Sequence, residues 1–428
     1  MQKPLFVISC PIDCYSGYSS RSRDIVKALI RLNKYDIKII PQRWGGTPFG
    51  FLKSENPEHK QILDCILQQP TLPKQPDVWM QITVPNEFQK VGKYNIGITA
   101  GIETTICDPS WIEGINRMDL VLVSSNHAKN VFLNSKFEKR DQQTNQILEV
   151  IECKVPIEVV FEGIDQNIYK KLETSKFDLS EIKEDFCMLF CGHWLSGELG
   201  QDRKDVGGLI KTFLETFRNK KQKPALILKT SGATYSIMDR DDMLNRIQHV
   251  RNMVDGDLPN IYLLHGELTD EEMNELYNHP KVKCFVSFSK GEGYGRPLLE
   301  ASIAQKPIIT TGWSGHTDFL SPDFSTLLPG QLTQIHPSAV VPNMLIPESG
   351  WFTVDYKTAS RILEDIYKNP SPYFEKAKRQ AYRSRTQFSL DKMAELLDII
   401  LEDKVPKIKP IIIPQISKLN LPKIIKNG

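Results

Sequence analysis

Apolar and polar positions alternate in blocks along this chain, short continuous apolar runs being followed by stretches with helical spacing. LFVISC (Leu5 to Cys10), YDIKIIP (Tyr35 to Pro41), DVWMQITV, YNIGITA, FCMLFCGHW (Phe186 to Trp194), PALILKT (Pro224 to Thr230) and IYLL from Ile261 each have the length and continuity of a strand buried on both faces. RSRDIVKALIRLNKY (Arg21 to Tyr35) puts Ile25, Ala28, Leu29 and Leu32 on one helix face. Strands that alternate with helices predict βαβ units and parallel sheets.

One stretch organises the rest, KVKCFVSFSKGEGYGRPLLEASIAQKPIITTGWSGHTDFL (Lys281 to Leu320). Its apolar run through Phe288 predicts a buried strand, three glycines end it, and Pro297 stands where a helix tolerates a missing N–H. A second apolar run, Pro307 to Thr311, follows, so the loop lies at the carboxyl edge of a parallel sheet. Unpaired N–H groups and the helix dipole favour an anion there. Gly291, Gly293 and Gly295 let backbone approach a ligand, and Glu292 and Glu300 frame the same pocket, because helical side chains tilt toward the N-terminus. Carboxylates accept hydroxyl hydrogen bonds, so phosphate and polyol recognition coincide, as a nucleotide sugar requires.

Glu292-Gly-Tyr-Gly-Arg-Pro-Leu-Leu-Glu300, with the later loop Gly312-Trp-Ser-Gly-His-Thr-Asp318, resembles the E-x7-E signature of retaining, family-4-like glycosyltransferases. The resemblance implies an α/β chain of GT-B fold, two Rossmann-like domains facing across a cleft. It places Glu292 at the donor sugar, Glu300 at the ribose, and Gly293, Tyr294, Gly295, Arg296 and Pro297 at sugar and phosphate. After FCMLFCGHW the family carries an Arg and then a Lys that reach the diphosphate. Lys204 fits the Lys, but His193 occupies the Arg position, with Arg203 as a substitute. Lys229 ends the next strand, and His265 and Leu268 stand where relatives receive the base; a surface loop fits them equally.

In the N-terminal half, GIETTICDPSWIEGINRMDLVLVSSNHAKNVF (Gly101 to Phe132) resembles the family's strand-end loop and PxxW helix. Glu103 is therefore a candidate acceptor-activating base or contact, and reads equally as a surface carboxylate. Tyr15, Ser16, Gly17 and Tyr18 resemble the small-residue first loop, and Arg43 and Trp44 lie in a Gly- and aromatic-rich loop that either stacks on an acceptor ring or, as such aromatics more often do, pins the loop to its own domain. Arg21 and Arg23 read as first-turn surface charge or, equally, as acceptor or phosphate contacts. Ser124, Ser125 and Lys129 cap and charge a helix start. The motifs SGYSSRSRD, RWGGTPFGF and GIET look like those of phage and large-virus glycosyltransferases. The acceptor hydroxyl then lies on a hydroxymethylated pyrimidine of DNA or on a glycan. A GT-B epimerase and a non-catalytic nucleotide-sugar-binding protein are the alternatives.

The expected organisation is an acceptor domain over 1–166, a linker over 167–185, a nucleotide-sugar domain over 186–380, a helix over 381–402 packing back on the first domain, and a basic tail over 403–428. The strand VVFEGID (Val159 to Asp165) closes the first domain, Lys136 to Gln146 is a polar excursion, and Leu327 to Glu348 is Pro-rich and irregular. Length and composition agree: 428 residues, 40% hydrophobic and 25% charged, suit two soluble domains. A net charge of +2 announces no polyanionic partner, although the last 26 residues hold six Lys against one Asp. No signal-like N-terminus and no apolar stretch of about 18 residues is present, which implies a cytoplasmic protein, in the host's cytoplasm if viral. The eight cysteines read as free thiols, and neither metal nor cofactor is expected.

Overall fold

The computed structural model describes residues 3–407 apart from Pro70, Pro73 and Ala233; the tail from residue 408 onward lies outside the described residues. The first domain contains strands β1 (Leu5–Cys10), β2 (Asp36–Pro41), β3 (Val78–Ile82), β4 (Tyr94–Thr99), β5 (Leu120–Val123), the hairpin β6 (Phe137–Arg140) and β7 (Ile147–Ile151), and β8 (Ile157–Val159). Its parallel sheet has the order β2-β1-β3-β4-β5-β8. Helices α1 (Gly17–Leu32) and α2 (Pro57–Leu63) cover one face, and α3 (Pro109–Ile115) and α4 (Asn126–Asn134) the other.

The second domain repeats the plan with β9 (Cys187–Cys191), β10 (Ala225–Lys229), β11 (Ile261–Leu264), β12 (Val282–Ser287), β13 (Ile308–Thr311) and β14 (Thr326–Leu328), ordered β11-β10-β9-β12-β13-β14. Helices α5 (Val206–Phe217), α6 (Ile237–Arg251) and α9 (Tyr356–Lys368) bury one face, and α7 (Asp270–Asn278) and α8 (Arg296–Ile303) the other. An antiparallel pair, β15 (Gly330–Gln334) and β16 (Gly350–Val354), sits beside the sheet. α10 (Ser371–Gln387) seats Ala377, Ala381 and Ser384 against α8, Ser384 Oγ lying 2.8 Å from Ser302 Oγ. α11 (Leu390–Lys404) buries Leu390, Met393 and Leu397 in the first domain's core beside Ile25 and Leu29.

Several elements differ from the sequence expectation. α1 starts at Gly17 rather than Arg21, because Ser16 Oγ accepts from Ser19 N at 3.1 Å and caps an earlier turn. The expected strand Val159 to Asp165 is instead β8 at Ile157–Val159; beyond it the chain pairs with the start of α11, Ile164 N donating to Phe388 O and Leu390 N to Ile164 O, both at 2.9 Å. The polar excursion is the exposed β6–β7 hairpin, and the Pro-rich stretch holds β14 and β15. α6 buries only Met243, Ile247 and Val250 and so leaves little helical periodicity in the sequence.

In each sheet the strand order reverses beside the first strand: β10 and β11 lie on one side of β9, β12 on the other. The loops that leave the carboxyl ends of β9 and β12 therefore diverge and leave a crevice, where open α/β sheets take ligands.

Candidate functional site at the interdomain cleft

The loop after β12 carries Glu292 to this crevice. Glu292 N donates to Ser314 Oγ at 2.8 Å, and its carbonyl accepts from Gly315 N at 2.9 Å, so the loop after β13 fixes the backbone. The neighbouring glycines are required by contact with the first domain. A Cβ on Gly291 would lie 1.9 Å from Glu103 O, and one on Gly293 2.5 Å from Ala100 O. Ser125 Oγ, the cap of α4, donates to Gly293 O at 2.6 Å across the same seam.

The loop after β9 brings cations to the Glu292 carboxylate. Lys204 Nζ lies 2.5 Å from Oε1 and Arg203 Nη1 3.5 Å from Oε2; Arg203 also reaches Glu103 Oε1 at 3.3 Å and donates to Gly291 O at 3.1 Å. Burial pushes the Glu292 carboxyl up, but Lys204 and Arg203 outweigh it and hold the group at about 2. Burial lowers the Lys204 ammonium against the pull of Glu292, whereas for Arg203 the two glutamates more than offset burial and raise it. Four charges from both domains thus form one neutralised cluster: Glu103, Arg203, Lys204 and Glu292.

Asp202 and Asp205, on either side of these cations, point into the protein. Asp202 Oδ2 accepts from Val206 N at 3.3 Å, and Asp205, with φ +48°, accepts from Tyr356 OH at 2.6 Å. Lys290, 1% exposed, puts its ammonium 3.7 Å from Asp205 Oδ2 and 3.0 Å from Thr353 Oγ1, and its own N–H donates to Arg203 O at 2.8 Å. The buried pair and the Lys290 backbone bond support the turn that carries Arg203 and Lys204.

Glu300 is buried one turn into α8, where both oxygens are engaged: Tyr277 OH donates to Oε2 at 3.0 Å and Arg296 Nε to Oε1 at 3.0 Å. Burial lifts its carboxyl to about 7 in spite of Arg296. Gly295, at φ +95°, precedes the helix, and Pro297 occupies its first turn. Tyr294 points into the core, its ring centroid 5.0 Å from that of Phe319, and its hydroxyl is buried without a hydrogen-bond partner among the described residues; of this residue only the backbone faces the crevice loops.

His193, Lys229, Ser231 and Tyr235 line a cavity of about 150 Å³ at the carboxyl ends of β9 and β10. His193 Nδ1 lies 3.1 Å from Ser231 Oγ; burial and the nearby Lys204 and Arg203 lower its pKa, so the ring is neutral near pH 7. Lys229 Nζ donates to Gly266 O at 2.7 Å, and His265 Nε2 lies 3.2 Å from Asp239 Oδ1. Leu268 packs on the second domain's core.

On the first domain, Tyr18 and Trp44 stack with ring centroids 4.0 Å apart, and Tyr18 OH lies 2.8 Å from Thr99 Oγ1. Arg43 lies over Phe49 at 5.2 Å, Tyr15 reaches Gly50 O at 3.4 Å, and Gly17 is exposed. Arg21 and Arg23 are neither surface charges nor free contacts. Arg21 is buried and donates to Phe161 O and Val160 O, and Arg23 donates to Cys14 O at 3.0 Å beneath Phe51. A second cavity, about 240 Å³, lies between α1 and α2 on one side and α7 and α8 on the other, walled by Tyr15, Arg23, Asp24, Asp165, Asp270 and Arg296. Asp24, Ser314 and Lys290 carry no local sequence signal; each acts through a partner distant in the chain.

No family model matches the sequence, and no curated protein does. Solved structures do resemble the fold. Sucrose-phosphate synthase from Thermosynechococcus elongatus superposes with TM-score 0.60 at 12% identity, over 94% of this chain and 99% of that one. A glycosyltransferase from Rickettsia africae gives 0.59 at 11%, over 95% and 100%. Anabaena HepE in complex with UDP and glucose gives 0.57 at 12%, over 94% and 100%. At such identities the likeness speaks for architecture alone, and that architecture is the two-domain α/β fold of GT-B glycosyltransferases.

Proposed function

We propose that this chain transfers a sugar from a nucleoside diphosphate sugar to an acceptor hydroxyl with retention at the anomeric carbon. The observation that carries the reading is the Glu292 carboxylate clasped by Lys204 and Arg203 at the switch point of the second sheet. The UDP and UDP-glucose bound to HepE support a UDP-linked donor.

With the donor absent, the two cations neutralise Glu292. An arriving diphosphate takes over Lys204 and Arg203, which frees Glu292 to accept hydroxyls of the donor sugar. Cations aimed beforehand at the departing diphosphate stabilise the charge that develops on it, an effect strongest where water is excluded. The C1–O bond to the diphosphate breaks as the acceptor oxygen bonds to C1 on the same face, and the acceptor proton passes to the leaving diphosphate oxygen. Glu103, held by Arg203, orients the acceptor hydroxyl, and the stacked Tyr18 and Trp44 form a wall on the acceptor side. No step in this route calls for a metal ion. The acceptor hydroxyl belongs to a hydroxymethylated pyrimidine in DNA or to a glycan.

The test is mass spectrometry of reactions with a panel of nucleotide sugars, offered modified DNA and simple saccharides. Lys204→Met is expected to lower turnover by about 100- to 1,000-fold, the usual size of losing one such stabilising group, with the melting curve retained. His193 in the family's Arg position favours a second reading, a binder without turnover. Donor binding by calorimetry with no product from any acceptor would establish that reading and refute transfer.

A further inference from the structure

We infer that the outer face of α10 is a docking surface for a single-stranded nucleic acid. The helix carries five cations, Lys376, Lys378, Arg379, Arg383 and Arg385, and one carboxylate, Glu375, a net +4 in a chain whose total is +2. Positive charge is therefore concentrated on this helix and in the last 26 residues, the rest of the chain being net negative, and a cationic helix face is a footprint of a polyanion partner.

The local geometry is specific. Ala377, Gln380, Ala381 and Ser384 face inward, and Gln380 Nε2 donates to Phe319 O at 2.9 Å, so the rotation of the helix is fixed. On the outside Tyr382 is 66% exposed, one turn from Lys378 and Arg379 on one side and from Arg385 on the other. It borders a groove of about 450 Å³ whose other walls include Phe324, Lys378, Arg379 and Arg383. Lys378 pairs with Glu375 at 2.7 Å, whereas Lys376, Arg379 and Arg385 form no ion pair among the described residues. An exposed aromatic ring flanked by Arg379 and Arg385, which form no ion pair among the described residues, is what a single strand needs: a surface for a base and charges for the phosphates on either side. An anionic membrane would call for several apolar side chains on this face, and Tyr382 is the one large exposed hydrophobic residue on α10.

The surface also leads toward the cleft. Arg383 Nε donates to Phe319 O at 3.2 Å; the adjacent Asp318 carboxylate accepts from Asn126 N of the first domain at 2.8 Å, and the same loop holds Glu292 through Gly315 N. α10 is thus tied to the loop that borders the proposed transfer site. The inference concerns binding and stands without sugar transfer.

The experiment is fluorescence anisotropy of the full-length protein with a labelled mixed-sequence single-stranded DNA, with no nucleotide sugar present, over a series of salt concentrations. Lys376→Glu, Arg379→Glu and Arg385→Glu together are expected to weaken binding at least tenfold and to flatten the log–log salt slope by roughly 2, at about 0.7 per lost phosphate contact. Tyr382→Ala, which leaves all charges in place, is expected to weaken binding about tenfold through loss of stacking with the slope unchanged. Equal binding by parent and variants overturns the inference, as does binding to phosphatidylserine vesicles with none to the oligonucleotide. Failed transfer assays leave both readouts untouched.

Discussion

Arg296 Nη1 of α8 lies 2.5 Å from Asp24 Oδ2 of α1, so a residue inside the E-x7-E stretch is ion-paired to the opposite domain. The same guanidinium holds Glu300 through Nε, and both pairs are nearly enclosed. Removing Arg296 leaves Asp24 enclosed without its cation, and removing Asp24 leaves Arg296 with Glu300 as its remaining carboxylate. Asp24→Asn or Arg296→Leu alone is expected to cost about 3 kcal/mol, and the double variant less than the two losses added. Urea unfolding of the four proteins checks this; strictly additive losses would show that the pair is not coupled.

Glu300 gives a pH dependence whose sign follows from burial. Its folded-state pKa, about 7, stands above the ordinary 4.5, because burial outweighs the Arg296 guanidinium. The native state therefore binds more protons than the unfolded chain, and this group's contribution to stability is fully present below about 4.5 and lost as pH rises through 7. Glu292 behaves oppositely: held at about 2, it contributes stability above 4.5 that is lost as pH falls toward 2. Thermal melts of Glu300→Gln should be flatter than the parent's between pH 5 and pH 8 if this sign is right.

The strand, glycine loop and helix around Glu292 were legible because βαβ order, Pro297 and the glycines are local signals. Lys204 stands out only through the resemblance to the family's Lys before α5; its pairing with Glu292 depends on the fold. Asp24 and Arg296 are 272 positions apart, and neither residue type predicts the other. Glu300 is expected to reach the pocket and, by resemblance, the ribose; its engagement by Tyr277 and Arg296 depends on how α7 packs beside α8. Arg21 and Arg23 read equally as surface charge and as acceptor or phosphate contacts, and only the folded chain shows the carbonyls that accept from them. α6 was missed because a helix that buries three apolar side chains leaves almost no pattern.

Gly291 marks how tightly the domains meet. An added Cβ would lie 1.9 Å from Glu103 O and 2.9 Å from Glu103 C, both backbone atoms that cannot rotate away. Gly291→Ala must therefore separate the loop after β12 from the loop after β4, and with it Arg203 from Glu103. The expected result is an increased radius of gyration by small-angle scattering, with each domain still folded. An unchanged radius and melting point would mean that the seam yields locally.

Lys290 and Asp205 form the buried pair behind the catalytic candidates. Burial drives the Asp205 carboxyl up to about 7, against the Lys290 ammonium and the Tyr356 hydroxyl, which favour its charged form. Lys290→Met removes the cation and leaves the carboxylate enclosed, a loss of about 3 kcal/mol by the usual cost of a broken buried pair. Lys290→Met with Asp205→Asn removes both charges and should recover much of that loss, since two neutral groups need no solvation they lack. Because Lys290 N also donates to Arg203 O, the backbone bond survives in every variant, and what changes is the side-chain anchor of the Arg203–Lys204 turn. Calorimetric affinity for a nucleoside diphosphate should then fall in Lys290→Met and recover with Asp205→Asn. If stability recovers while affinity does not, the ammonium itself contributes to the anion site and the anchoring account fails.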